Sequence, residues 1–116
     1  MSELASHFDE EALDMLKEVM DEEFPELIAV FVRDSEQRLP LLQKAIELGN
    51  AGEVRELAHS FKGASSNISA QLLADHCFAL EQAGRAQNLE HAPEQFEQVQ
   101  TEYWQVKALL QQMLSK

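Results

Sequence analysis

Apolar residues recur along this chain at steps of three and four, the period of a helix packed on one side. The clearest run is Phe24, Ile28, Phe31, Ser35, Leu39, Leu42, Ile46, opened by Pro25 at a helix start and interrupted by Pro40, where a kink or short break is expected. A second run, Phe96, Val99, Tyr103, Val106, Leu110, Met113, follows Pro93. Between them, Leu57, Phe61, Ala64 and Ile68 form one stripe, and Leu73, Cys77 and Leu80 another that ends near Gly84. No alternating apolar–polar strand pattern competes.

Punctuation fits four long helices and a shorter first one. Asp9 is placed as the N-cap of a helix running to about Met20, with Phe8 and Leu13 spaced as a hydrophobic staple. Gly49-Asn50-Ala51-Gly52 ends one helix and turns the chain, while Asn50 and Glu53 have capping-box spacing for the next. Ser69-Ala70 marks a weaker boundary. Short connections make neighbouring long helices antiparallel. The expectation is an all-α, antiparallel four-helix bundle with a short additional N-terminal helix, as a single domain over residues 1–116.

Charge narrows the partners. Nine basic residues against twenty-one acidic ones give a net charge of −12, which argues against nucleic acid and anionic membranes. Ten of the acids and a single base, Lys17, fall within residues 1–26, and the plain reading of that segment is a solvated face. Cys77 stands alone, so neither an internal disulfide nor a zinc–thiolate cluster is expected. No signal peptide or membrane span is apparent, which points to the cytoplasm.

The helix bearing His59 holds the candidate chemistry. His59, Lys62, Gly63 and Ser66 share the face opposite the stripe of Leu57, Phe61, Ala64 and Ile68. A glycine inside a helix costs roughly 1 kcal/mol relative to alanine, and Gly63 contributes nothing to the core. One physical reason to keep it is that something must approach the helix beside His59. A cation one turn from an exposed imidazole suggests that the arriving group is an anion.

The run His59-Ser60-Phe61-Lys62-Gly63-Ala64-Ser65-Ser66-Asn67-Ile68 closely resembles the signature of histidine-containing phosphotransfer (HPt) domains, H-x-x-K-G-(small)-(small)-x-x-(aliphatic). The likeness continues through Ala70, Leu73, Cys77, Leu80 and Glu81, and upstream in Phe31-Val32-Arg33-Asp34-Ser35. Ser69 departs from it, standing where the family usually has glycine, at the helix end rather than on the phosphorylation face.

The resemblance implies a phosphorelay intermediate in two-component signalling. His59 would accept a phosphoryl group on Nε2 from the receiver-domain aspartate of a hybrid histidine kinase and pass it to a response-regulator receiver domain. An exposed imidazole titrates at roughly 6.5 and is mostly the neutral nucleophile at neutral pH. Lys62 is placed to meet the phosphoryl oxygens as a flexible point charge, and Arg55, one turn before His59, is a second candidate cation. Gly63 would clear room for the partner, and Ser66 lies on the docking face. Glu56, three residues before His59, is a candidate to orient the imidazole, whose tautomer the sequence leaves open.

His7, His76 and His91 read as ordinary histidines, and no metal-ligand spacing occurs. With no phosphate-binding loop and no room for an ATP-binding domain, the chain should be a carrier rather than an autonomous kinase. No cofactor is expected, and Mg²⁺ is assigned to the receiver. A monomer is expected, because self-association over His59 would block transfer. Two other classes stay open: a non-catalytic helical module that binds a receiver or kinase domain, and an autonomous enzyme, for which no second catalytic group can be named.

Overall fold

A computed structural model describes residues 3–115, all of whose regular structure is helical. An N-terminal arm of α1 (Glu3–His7) and α2 (Glu10–Met20) leads through a 3-10 turn, Asp21–Glu23, into α3 (Phe24–Glu47). Three more helices follow: α4 (Ala51–Asn67), α5 (Gln71–Arg85) and α6 (Ala92–Leu114). Helices α3 to α6 form the expected four-helix bundle: each packs on the next, and α3 meets α6 to close the ring.

The caps act where the sequence places them. The Asp9 carboxylate accepts the Ala12 N–H at 3.2 Å, and Phe8 and Leu13 are both buried beneath that first turn. The Asn50 side-chain oxygen accepts the Glu53 N–H at 3.1 Å. Gly49, at φ 68°, takes the left-handed conformation that ends α3. The five-residue α1 is an addition, too short to leave a periodic pattern. It is tied to α6 by His7 Nδ1, 2.6 Å from Glu102 Oε2.

Three expectations need correction. Of the kink or short break expected at Pro40, the break does not occur: α3 runs as one helix from Phe24 to Glu47 with the proline inside it. The proline is exposed while Leu39 and Leu42 on either side are buried, so packing of the inner face carries the helix past the missing N–H bond. The end of the α3 stripe is carried by buried Ala45, with Ile46 only half-buried. The stripe of α4 is wider than expected: Phe61 and Ile68 are buried as read, Val54, Ala58 and Ser65 join them, and Leu57 and Ala64 are only half-buried against the core. Because α4 is wedged between α3 and α5, it buries a broad face on which the small Ala58 and Ser65 sit beside Val54 and Phe61. Ser65 is satisfied there by donating its hydroxyl to the Phe61 carbonyl at 2.8 Å.

Gly84 fixes the spacing of α4 and α5. A Cβ on it would lie 2.7 Å from both the Ala51 carbonyl oxygen and the Arg55 nitrogen, closer than any side chain tolerates. The other close fit is at Ser69, whose φ of 64° is left-handed. Its backbone N–H bonds to Ser66, and its carbonyl accepts the Asp9 N–H at 2.9 Å, joining the α4–α5 turn to the arm. The family's usual glycine suits this conformation, and serine adopts it at a cost.

On the opposite side of the bundle, Tyr103 packs its ring against Phe31 and Phe61 and donates its hydroxyl to Glu36 at 2.8 Å. Lys107 reaches the same Glu36 oxygen at 2.6 Å, and these two partners hold the Glu36 carboxyl below its ordinary range.

Two substitutions test this packing by urea unfolding. Gly84→Ala should lower stability by about 2 kcal/mol or more, because backbone rather than a movable side chain must give way. Ser69→Gly should raise it by about 1 kcal/mol through relief of the left-handed strain.

Candidate functional site

His59 projects from α4 away from the buried Ala58 and Phe61, and its side chain is 68 % exposed. Beneath it lies Glu81 of α5, whose side chain is 2 % exposed. A charge so buried needs partners, and Glu81 has three. Its Oε2 is 3.0 Å from His59 Nδ1 and 3.2 Å from an Arg85 guanidinium nitrogen, and its Oε1 is 2.8 Å from Lys62 Nζ.

These contacts decide its ionisation. Burial pushes the Glu81 carboxyl up, but Lys62 and His59 outweigh that and hold it below the ordinary carboxylate range. An ionised carboxylate only accepts hydrogen bonds, so the 3.0 Å contact is an Nδ1–H donated by His59. In the neutral imidazole this leaves the lone pair on Nε2, on the solvent side. The tautomer follows from a residue 22 positions downstream.

Lys62 is half-buried and ion-paired to Glu81, with Nζ 4.9 Å from the Phe78 ring centroid. It is therefore held in place, unlike the free point charge expected from sequence. Gly63 is exposed, and nothing lies within 4 Å of a Cβ built on it. Arg55 lines, with Glu56, His59, Glu81 and Arg85, an open cleft of about 540 Å³. Ser66 is exposed two turns beyond His59, and among the described residues its hydroxyl bonds to none of these groups. Glu56 does not orient the imidazole: it lines the cleft, and the Nδ1 partner is Glu81.

Glu81 and Arg85 are the site residues that sequence reasoning missed. The signal was present, since Leu73, Cys77, Glu81 and Gly84 step by four, four and three down the buried face of α5. A carboxylate in such a stripe calls for cations on the helix packed against it. The remaining histidines stand apart: His7 is bound to Glu102, His91 lies 3.7 Å from Glu94, and His76 faces a separate cleft between α5 and α6. Among the described residues no group of three or more His, Cys, Asp or Glu side chains is placed to hold a metal ion. Cys77 is buried, and burial pushes its thiol up to about 12, so it is no nucleophile at neutral pH. What the site offers is one unblocked imidazole nitrogen beside two anchored cations.

The family model described as Hpt domain matches residues 26–116. Among solved structures, histidine-containing phosphotransfer protein B from Pseudomonas aeruginosa PAO1 is similar at 45 % identity and a TM-score of 0.89, over 92 % of this chain and 93 % of that one. The maize histidine-containing phosphotransfer protein ZmHP2 shares the fold, with a TM-score of 0.86 at 21 % identity over 97 % and 93 % of the two chains. MtHPt2 from Medicago truncatula gives 0.66 at 28 % identity over 79 % and 68 %. No curated protein sequence matches the chain.

A carboxyl whose pKa is lowered on folding contributes stability that is complete above its unfolded value, roughly 4.3, and lost as pH falls through the folded value. Wild type should therefore lose more stability than Glu81→Gln as pH is lowered from about 7 to about 3. Urea unfolding of both proteins across that range measures the difference; parallel curves would show that Glu81 is not held ionised by folding.

Proposed function

The chain belongs to the Hpt domain family, the phosphocarriers of two-component signalling, and we propose that His59 is the residue through which it works as a histidine phosphotransfer relay intermediate. One observation carries the assignment: an exposed imidazole is anchored through Nδ1 to a buried carboxylate, so that Nε2 faces solvent.

The chemistry follows from that arrangement. Nε2 attacks the phosphorus of an aspartyl phosphate on the receiver domain of a hybrid kinase. The P–N bond forms as the acyl P–O bond breaks, and the leaving electron pair returns to the aspartate carboxylate. Nδ1 keeps its proton, and Glu81 offsets the positive charge that develops on the ring. The reverse sequence hands the group to the aspartate of a response-regulator receiver domain.

Lys62 and Arg85 set positive charge where the arriving phosphoryl dianion must be held, and Arg55 adds a third cation across the cleft. Gly63 leaves the approach open, and Ser66 belongs to the polar rim of the docking face. Mg²⁺ enters with the receiver, and this chain holds no cofactor of its own. We assign it to the cytoplasm as a monomer that carries phosphate without using ATP directly. Among the described residues no helix is long and apolar enough to cross a membrane.

His59→Gln should abolish labelling by a phosphorylated receiver while leaving helical content unchanged. The wild-type label should be acid-labile and base-stable, as a phosphoramidate is, and ATP alone should give none. Label that persists in His59→Gln would move the site elsewhere. Normal receiver binding without any label on the wild type would favour an interaction module.

A second test separates docking from folding. Gly63→Ala should be neutral or stabilising by up to about 1 kcal/mol, since its Cβ meets nothing. Gly63→Gln should keep near-wild-type stability yet weaken receiver binding from an expected affinity near micromolar, about −8 kcal/mol. An unfolded Gln variant would make Gly63 a packing residue instead.

A further inference from the structure

Lys62 is already occupied in the unphosphorylated protein. Its ammonium is 2.8 Å from Glu81 Oε1, lies over the Phe78 ring and is only 28 % exposed. His59 sits one turn back on the same helix, so the two side chains are neighbours and Lys62 reaches either anion, the carboxylate below or a phosphoryl group above. Arg85 and the His59 N–H both bond to the other carboxylate oxygen, Oε2. Glu81 therefore keeps two partners if Lys62 leaves. The charged groups around this carboxylate are His59 and Lys62 on α4 and Arg85 on α5, with Arg55, Glu53 and Glu56 of α4 lining the cleft beyond.

We propose that Glu81 is a positioning residue that sets the lifetime of the phosphohistidine, by holding His59 with Nε2 outward and by competing with the phosphoryl group for Lys62. This rests on His59 being the phosphoryl acceptor. A phosphoryl dianion on Nε2 draws Lys62 upward, and the buried carboxylate draws it back. Loss of the group passes through a loose, metaphosphate-like transition state whose oxygens carry less charge than the ground-state dianion. A lysine clamped on those oxygens would favour the ground state and slow transfer. Sharing Lys62 with Glu81 weakens that clamp and keeps the group transferable. No bond to phosphorus involves Glu81: the P–N bond breaks toward the accepting aspartate, and the electron pair returns to Nε2.

The test compares wild type, Glu81→Gln, Lys62→Ala and the double variant, each phosphorylated by a receiver domain charged with a small-molecule phosphodonor. Glu81→Gln should lengthen the phosphohistidine half-life about three- to tenfold, the effect of one charge-assisted bond strengthened. The double variant should show no lengthening relative to Lys62→Ala. Nitrogen-15 spectra of the His59 ring should show a smaller Nδ1–H fraction in Glu81→Gln than in wild type, a change that a merely structural residue would not produce. Should Glu81→Gln fail to fold, wild type still decides: phosphorylation should shift the Lys62 Nζ and Glu81 carboxylate resonances together. Normal labelling of His59 with an unchanged half-life, or with unmoved Lys62 and Glu81 resonances, overturns the competition alone. Absence of label on wild-type His59 overturns it together with the acceptor assignment.

Discussion

The site depends on how closely two helix backbones approach. At Gly84 the α5 backbone comes so near α4 that even a methyl group would strike the Ala51 carbonyl and the Arg55 amide. That spacing lets a side chain as short as glutamate, one turn earlier on α5, reach beneath His59 and Lys62 and meet both at 3 Å or less. With a wider gap, Glu81 would be solvated or stranded as an unpaired buried charge, and the histidine ring would have no fixed partner. The structural glycine and the chemical carboxylate are two parts of one arrangement.

Much of the architecture was legible because it is written in local terms. Asp9 and Asn50 announce helix starts through a side-chain oxygen and its own downstream N–H, so neighbours in sequence suffice to read them. Other features are settled by contacts between distant segments. Pro40 looked like an interruption, yet the inward-facing Leu39 and Leu42 carry α3 through it. The α4 stripe was read too narrowly: Phe61 and Ile68 are buried as expected, but a helix wedged between two others also buries Ala58 and Ser65, which an apolar scale rates below Leu57.

The candidate site divides along the same line. His59, Lys62 and Gly63 lie within five residues and share a helix face, so their association was visible in the sequence. Glu81 and Arg85 come from another helix, and only the fold joins them to the rest. Glu56 was the natural local candidate for orienting the imidazole, but a neighbour three residues away on an exposed helix face is solvated, whereas a buried carboxylate has strong reason to find a donor. The two glycines show the same contrast. Gly63 drew notice through its motif and has open space around it, while Gly84 passed as a helix end and is the one that geometry demands.

The anchored ring has a kinetic consequence. An imidazole free to turn about its Cβ–Cγ bond would present either nitrogen to an arriving partner, and half of its orientations would be wasted. Here a half-turn would break the bond to Glu81 and set Nδ1 outward, so the ring stands in one orientation before any partner arrives. Encounters between a small carrier and its partners are brief, and a nucleophile already aimed loses none of that time to rotation. What the buried carboxylate contributes to the surface is readiness: the search is finished before the collision begins.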